Sequence, residues 1–150
     1  MNPLRIILLP FSVFYYIVMV TRNFLFDNGI LKQEKFKTPV ISIGNISLGG
    51  TGKTPFVILI AKIFLKEGIK VSIISRGYSR NTKGVLTVFD GKELKLTPEE
   101  AGDELIVIYN HLEEFGSLLS VIVAESRVKG AEWAEFLFKP GVIILDDAFQ

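Results

Sequence analysis

Residues 44 to 55 read GNISLGGTGKTP, with four glycines inside nine positions and a lysine, a threonine and a proline at the end. Apolar runs stand on either side, Val40-Ile41-Ser42-Ile43 before and Phe56-Val57-Ile58-Leu59-Ile60 after. A glycine-rich turn between a strand and a helix points backbone N–H groups inward. With the positive end of the helix dipole these groups form a cradle for an anion. Glycine is needed where a side chain would collide with phosphate or forbid the backbone angles. On this reading Gly49, Gly50, Thr51 and Gly52 wrap the phosphates of ATP. Lys53 reaches the β- and γ-phosphates, and the Thr54 hydroxyl ligates Mg²⁺. The strict phosphate-loop pattern asks for glycine five residues before Gly52, where Ser47 stands; Gly49 and Gly50 supply the freedom instead. The competing reading is a glycine-rich turn with a helix-capping threonine.

The rest of the chain supplies the frame for such a loop. Val40–Ile43, Lys70–Ser75, Leu119–Val123 and Val142–Leu145 read as short buried strands. Lys53–Glu67, ending at Gly68, reads as a helix, and so does Ser126–Phe138. Val85–Phe89 and Glu93–Leu96 flank Asp90-Gly91, a hairpin signal. Thr97-Pro98-Glu99-Glu100 has the form of a capping box with proline at the first helical position, opening a helix that runs to about Glu114. Strands alternating with helices predict an α/β fold of the phosphate-loop NTPase kind. Its mostly parallel sheet carries helices on both faces, and ligands bind at the carboxyl ends of the strands.

Composition narrows the chemistry. The 150 residues suffice for one domain with a real core. Without cysteine there is no disulfide, thiol nucleophile or thiolate zinc site, and a single histidine, His111, builds no metal site alone. The formal net charge of +1 points neither toward nor away from nucleic acid. Its distribution is more telling, because residues 1–38 carry five Lys/Arg against two Asp/Glu. That basic stretch contains sixteen uncharged residues, 6 to 21, between Arg5 and Arg22. As a helix they would extend roughly 24 Å, somewhat short of a ~30 Å hydrocarbon core. With Tyr15, Tyr16 and the basic residues around them they suit an anionic membrane surface, embedded in one leaflet or barely spanning. The alternative is a helix buried against the domain or a partner. The expected division is therefore a membrane-associated segment, 1–38, ahead of a core, 39–150.

Three further stretches carry candidate chemistry. GVIILDD delivers Asp146 and Asp147 from the end of an apolar strand, as a metal-binding carboxylate strand does. Successive side chains alternate along a strand, so at most one of the two points at a metal directly. EEAGDEL places Asp103 and Glu104 beside Gly102, a costly residue inside a helix that hints at close approach by something. Asp103 is either a site residue or a solvated helix carboxylate. SRGYSR follows a strand directly; Arg76 and Arg80 are candidates for phosphate, and Tyr78 for a base or sugar, unless the stretch is an ordinary basic surface loop. Arg127 and Lys129 read as a solvated helix face, and His111 as a surface helix residue.

Together VISIGNISLGGTGKTP, SRGY, AGDE and GVIILDDAFQ, behind an apolar and basic N-terminus, resemble the tetraacyldisaccharide 4′-kinases of lipid A biosynthesis. The resemblance runs over essentially the whole of residues 1–150, and Ser47 fits it. It implies transfer of the γ-phosphate of ATP, with Mg²⁺, to the 4′-hydroxyl of tetraacyldisaccharide 1-phosphate, giving lipid IVA. It implies the cytoplasmic face of the bacterial inner membrane, a membrane-resident lipid substrate and no obligate protein partner. By motif, Lys53 and Thr54 hold phosphate and metal. Asp103 corresponds to the proposed base, Glu104 to a metal-site acid, and Asp146 with Asp147 to the metal-binding pair. Ala148 stands where the family has glycine, so that turn is expected to differ slightly. The family is longer, so the 150-residue chain alone is expected to have little kinase activity. Three rivals are a membrane-associated ATPase switch acting on a protein partner, a kinase for a soluble small molecule, and a non-catalytic fragment. The switch proteins carry a lysine just before the two glycines, where this chain has Leu48.

Overall fold

The structure is a computed structural model and describes residues 3–31, 35–44 and 52–147. It divides into two compact units, Met1–Lys35 and Phe36–Gln150. The first is built on one helix, α1 (Pro3–Asp27). Phe11, Phe14, Tyr15, Tyr16 and Ile17 are each more than half exposed on it, and the Arg22 guanidinium lies 5.1 Å from the centroid of the Phe26 ring. Among the described residues no helix is long and apolar enough to cross a membrane.

The second unit is organised by strands with no polar face. Every residue of β2 (Val71–Ser75) and β4 (Leu119–Ala124) is buried. Such strands need cover on both sides, which is why the sequence between them folds into helices. They join β1 (Val40–Ile43), β3 (Val85–Phe89) and β5 (Val142–Asp146) in one five-stranded sheet of order β1-β5-β2-β4-β3. All pairings are parallel except β3 with β4. The expected α/β architecture with a mostly parallel sheet is the one observed.

Alternation along the strands sorts the core into two layers. Val71, Ile73, Val121, Val123, Val142 and Ile144 pack on one face with α2 (Lys53–Lys66) and α4 (Asp103–Leu112). Ile74, Ile122, Ala124 and Ile143 face the other way, against Ala131 and Ala134 of α5 (Arg127–Leu137). Ser126 caps α5, its hydroxyl accepting from the Lys129 N–H at 3.3 Å.

Two expectations need correction. The helix foreseen from Pro98 to about Glu114 is broken. A single turn, α3 (Pro98–Ala101), stops at Gly102 with φ 92° and ψ 141°, and α4 starts afresh at Asp103. The capping box itself is present, with the Glu100 carboxylate accepting from the Thr97 N–H at 2.9 Å. A 3₁₀ segment, Glu113–Leu118, kinked at Gly116, follows α4. The hairpin at Asp90-Gly91 is also shorter than expected. Its second arm is a lone bridge between Leu94 and Phe89, because the Asp90 carboxylate accepts from the N–H groups of Lys92 and Glu93 and curls the chain.

A buried polar pair joins the two central strands: Ser72 and Ser120 stand opposite each other in register with their hydroxyls 2.6 Å apart. Removing one partner strands the other, whereas removing both restores an apolar contact. Ser72→Ala should therefore cost about 1–2 kcal/mol in urea unfolding, and Ser72→Ala with Ser120→Ala should recover most of it.

Candidate functional site

The carboxyl ends of β1, β5 and β2 lie side by side, and register sets which residues meet there. Ile43, the last residue of β1, pairs with Asp146 at the end of β5. Just beyond β1 in sequence, Gly52 caps α2 with φ 73°, and Lys53 and Thr54 form the first turn of that helix. The Lys53 ammonium pairs with the Asp147 carboxylate, both side chains under a third exposed. That hydrogen bond, followed by the charges of Asp147, Asp146 and Glu104, raises Lys53 above the ordinary lysine value and keeps it cationic.

Asp146 and Asp147 meet different partners. Asp146 is 2 % exposed and accepts a hydrogen bond from the Ser75 hydroxyl at 3.1 Å. Its other oxygen, Oδ1, is buried without a partner. Burial pushes its carboxyl up and the Asp147 charge adds to that; Ser75, Lys53 and Arg127 pull it down. Asp147 adopts left-handed backbone, φ 52°, which turns the chain out of the strand. A cleft of about 330 Å³ opens beside it, lined by Ser75, Arg76, Gly77, Tyr78, Ser79, Glu104 and Asp147. Glu104 is raised above its ordinary value by burial and then by Asp146, with Lys53 opposing.

Lys53, Asp146, Asp147 and Glu104 therefore form one electrostatic group, with Arg76 and Tyr78 on the rim of its cleft. Asp103 stands beside Glu104 as the first residue of α4, exposed and outside that lining. Gly49, Gly50 and Thr51 lie outside the described residues, as do Ser47, Leu48 and Ala148. Among the described residues no three acidic or histidine side chains converge to hold a metal unaided. The donor set nonetheless suits Mg²⁺, which keeps waters and phosphate oxygens and takes only one or two carboxylates. The orphaned Oδ1 of Asp146 is the kind of buried acceptor that such an ion or its water satisfies.

Two arginines differ from expectation. Arg80 does not reach toward phosphate: its side chain is 4 % exposed and is committed to Gly84 O at 2.7 Å and to Glu125 at 3.5 Å. Arg127 is no solvated helix residue. It donates from Nη1 to Ala124 O at 3.2 Å, and from Nη2 to Asp146 O at 3.1 Å and Asp147 O at 2.9 Å. It thereby braces the corner that presents both aspartates. The signal for Arg127 was its place directly after a strand, at the same sheet edge as the other loops. Ser75, last residue of its strand, carried the same signal. His111 lies on the exposed side of α4, its Nδ1 2.8 Å from Val107 O, as expected.

With this geometry in view, comparison with known proteins is decisive. The family model for tetraacyldisaccharide-1-P 4′-kinase matches residues 4–150. The chain belongs to that family. Tetraacyldisaccharide 4′-kinases from Chlorobium phaeovibrioides and Chlorobaculum tepidum are 46% and 47% identical to it, covering 99% and 97% of this chain. The Aquifex aeolicus protein is 46% identical over 147 residues. A crystal structure of LpxK from Aquifex aeolicus, an "apo" form in complex with ATP at 2.2 Å, matches with TM-score 0.77 and 46% identity, covering 98% of this chain. The chain spans about two fifths of the length of these curated relatives, 42% for the Chlorobium phaeovibrioides protein and 41% for that of Chlorobaculum tepidum. It spans 45% of the Aquifex aeolicus chain in the crystal structure.

The buried Asp146 predicts a trade of stability for chemistry. Its carboxyl is raised in the fold, so the fold binds the proton more tightly than the unfolded chain does. The ionised form at neutral pH is therefore destabilising. Asp146→Asn should raise the unfolding free energy at pH 7 by about 1 kcal/mol. The gain should shrink as pH falls and Asp146 in the parent takes up its proton. Urea titrations at several pH values check both signs.

Proposed function

We propose that the chain carries the nucleotide-handling part of an ATP-dependent lipid kinase. The reaction is transfer of the γ-phosphate of ATP to the 4′-hydroxyl of tetraacyldisaccharide 1-phosphate, forming lipid IVA. Membership of the tetraacyldisaccharide-1-P 4′-kinase family supports the acceptor. The observation that carries the reading is the convergence of Lys53, from the phosphate-loop helix, with Asp147 and its neighbours Asp146 and Glu104. Phosphoryl transfer needs little covalent chemistry from a protein. It needs charge neutralisation, in-line alignment and a group that takes the hydroxyl proton.

The roles proposed draw on sequence motif as well as on position. By sequence motif Gly49, Gly50, Thr51 and Gly52 belong to the phosphate-binding loop, and Lys53 transfers its ammonium from Asp147 to the β- and γ-phosphate oxygens. Thr54, Glu104, Asp146 and Asp147 would hold Mg²⁺ directly or through water, and the ion would neutralise charge that develops on the phosphates. Asp103, exposed beside the cleft, accepts the proton as the acceptor oxygen attacks the γ-phosphorus. The bond from that phosphorus to the bridging oxygen breaks and ADP leaves. Arg76 and Tyr78, exposed at the rim, flank the nucleotide.

Helix α1, with aromatic and aliphatic side chains in the open and basic residues nearby in sequence, lies on the anionic cytoplasmic face of the bacterial inner membrane, beside an acylated substrate.

Three measurements test this reading. ATP titrated calorimetrically into the chain should bind, more tightly with Mg²⁺. Lys53→Met should weaken that binding about 10- to 100-fold, the loss of a charge-assisted contact. ATP should be consumed only with the tetraacylated acceptor; consumption driven by a protein partner without it would favour an ATPase switch. Separately, sedimentation with vesicles containing about 30% phosphatidylglycerol should pull down the chain. Deleting residues 1–35 should abolish vesicle binding and leave ATP affinity unchanged. A soluble-substrate kinase predicts no vesicle binding at all.

A further inference from the structure

Gly77 of SRGY and Gly102 of AGDE, twenty-five residues apart in sequence, meet in the fold. A Cβ on Gly102 would stand 3.1 Å from Gly77 Cα and 3.1 Å from Tyr78 O; one on Gly77 would stand 2.6 Å from Ala101 O and 2.4 Å from the Val123 side chain. Both residues have left-handed φ, 69° and 92°. Neither position tolerates a side chain, so here backbone rests directly on backbone.

Around this contact the loop after β2 is fastened to the break between α3 and α4. A helix that stops at Ala101 leaves its last carbonyls without the N–H groups a longer helix would bring. The loop supplies the missing donors. Asn81 N–H reaches Glu99 O at 2.9 Å, and the Thr82 hydroxyl reaches Glu100 O at 2.6 Å. Arg80 stiffens the loop from behind, bonding Gly84 O at 2.7 Å and standing 3.5 Å from both Thr82 Oγ1 and Glu125. Glu125 in turn accepts from Gly84 N–H at 3.2 Å. These bonds satisfy what the break leaves open and hold α4 in its new direction, with Glu104 on the cleft beside Asp147.

We propose that Arg80 and Thr82 are positioning residues: through the Gly77–Gly102 contact they set where the first turn of α4, and with it Asp103 and Glu104, stands at the carboxyl edge of the sheet. The geometry stands on the contacts alone; its consequence for catalysis rests on the kinase reading above.

The test uses the 150-residue chain with Thr82→Val, Arg80→Met and Arg80→Lys, read by amide hydrogen exchange and by ATP affinity with Mg²⁺ and in EDTA. Amides of residues 101–105 should exchange about tenfold faster in Thr82→Val and Arg80→Met, while those of β2 and β4 keep their rates. Arg80→Lys, which keeps the charge and a donor, should restore most of the protection. The gain in ATP affinity on adding Mg²⁺ should fall about three- to tenfold in the first two variants, with affinity in EDTA unchanged. The proposal fails if residues 101–105 keep their protection. It fails equally if all sheet amides accelerate together, or if the Mg²⁺ gain stays intact while the corner loosens. An unaltered chain that binds no ATP would remove the nucleotide reading, and the exchange rates would still decide the clamp.

Discussion

Lys53 and Asp147 are 94 positions apart in sequence and form an ion pair because β5 inserts between β1 and β2. No local propensity brings them together. The parallel register does, setting Ile43 against Asp146 and Ile74 against Leu145, so that the strands end on a common line. The residues that follow each strand are thereby delivered to the same place: Lys53 and Thr54 after β1, Asp147 after β5, Arg76 after β2, Arg127 after β4. Of the charges gathered there only Asp146 is fully buried, while Lys53 and Asp147 are partly open and Arg76 and Glu104 are exposed at the mouth of the cleft. The upward shifts at Glu104 and Asp146 begin with burial and follow from that location.

Much of this was legible from sequence because the strands are nearly all apolar and the breaks between them carry strong local signals. Val40–Ile43 matched to the residue, and Val71–Ser75, Leu119–Ala124 and Val142–Asp146 came within one residue at an end. The Asp146–Asp147 pair was expected to alternate along one strand, but β5 ends at Asp146 and Asp147 lies beyond it in left-handed backbone. What escaped was long-range. Gly102 showed that something came close, but nothing local could say that Gly77 was the neighbour. Arg80 and Arg127 carry a charge that suits phosphate or solvent equally. Arg127 bonds backbone carbonyls of Ala124, Asp146 and Asp147, and Arg80 bonds Gly84 O and stands beside Thr82 and Glu125, partners of which Ala124, Asp146, Asp147 and Glu125 come into reach only in the assembled fold. The second arm of the hairpin failed because the Asp90 side chain competes with the strand ladder for the backbone N–H groups that follow it.

The two ends of the sheet differ in a way that bears on function. At the end opposite the cleft, polar groups satisfy one another. Ser72 meets Ser120, and Asp90 is held down to about 2 by a hydrogen bond from Lys95, with two backbone N–H groups helping. Among the described residues no buried side-chain nitrogen or oxygen at that end lacks a partner. At the carboxyl end the local rules are broken repeatedly within a few residues. Asp146 keeps a buried oxygen without a donor, and Arg127 keeps a buried Nε without an acceptor. Asp147 and Ser79 take left-handed backbone with side chains attached, as Lys139 does at the opposite end, and a helix is interrupted at Gly102 as the 3₁₀ segment is kinked at Gly116. Each feature costs stability by itself. A fold that satisfies its polar groups at one end is not short of means to do so at the other. The concentration of unmet demand around one cleft is what a site complementary to a charged ligand requires, because groups already satisfied internally would have nothing to offer the phosphates.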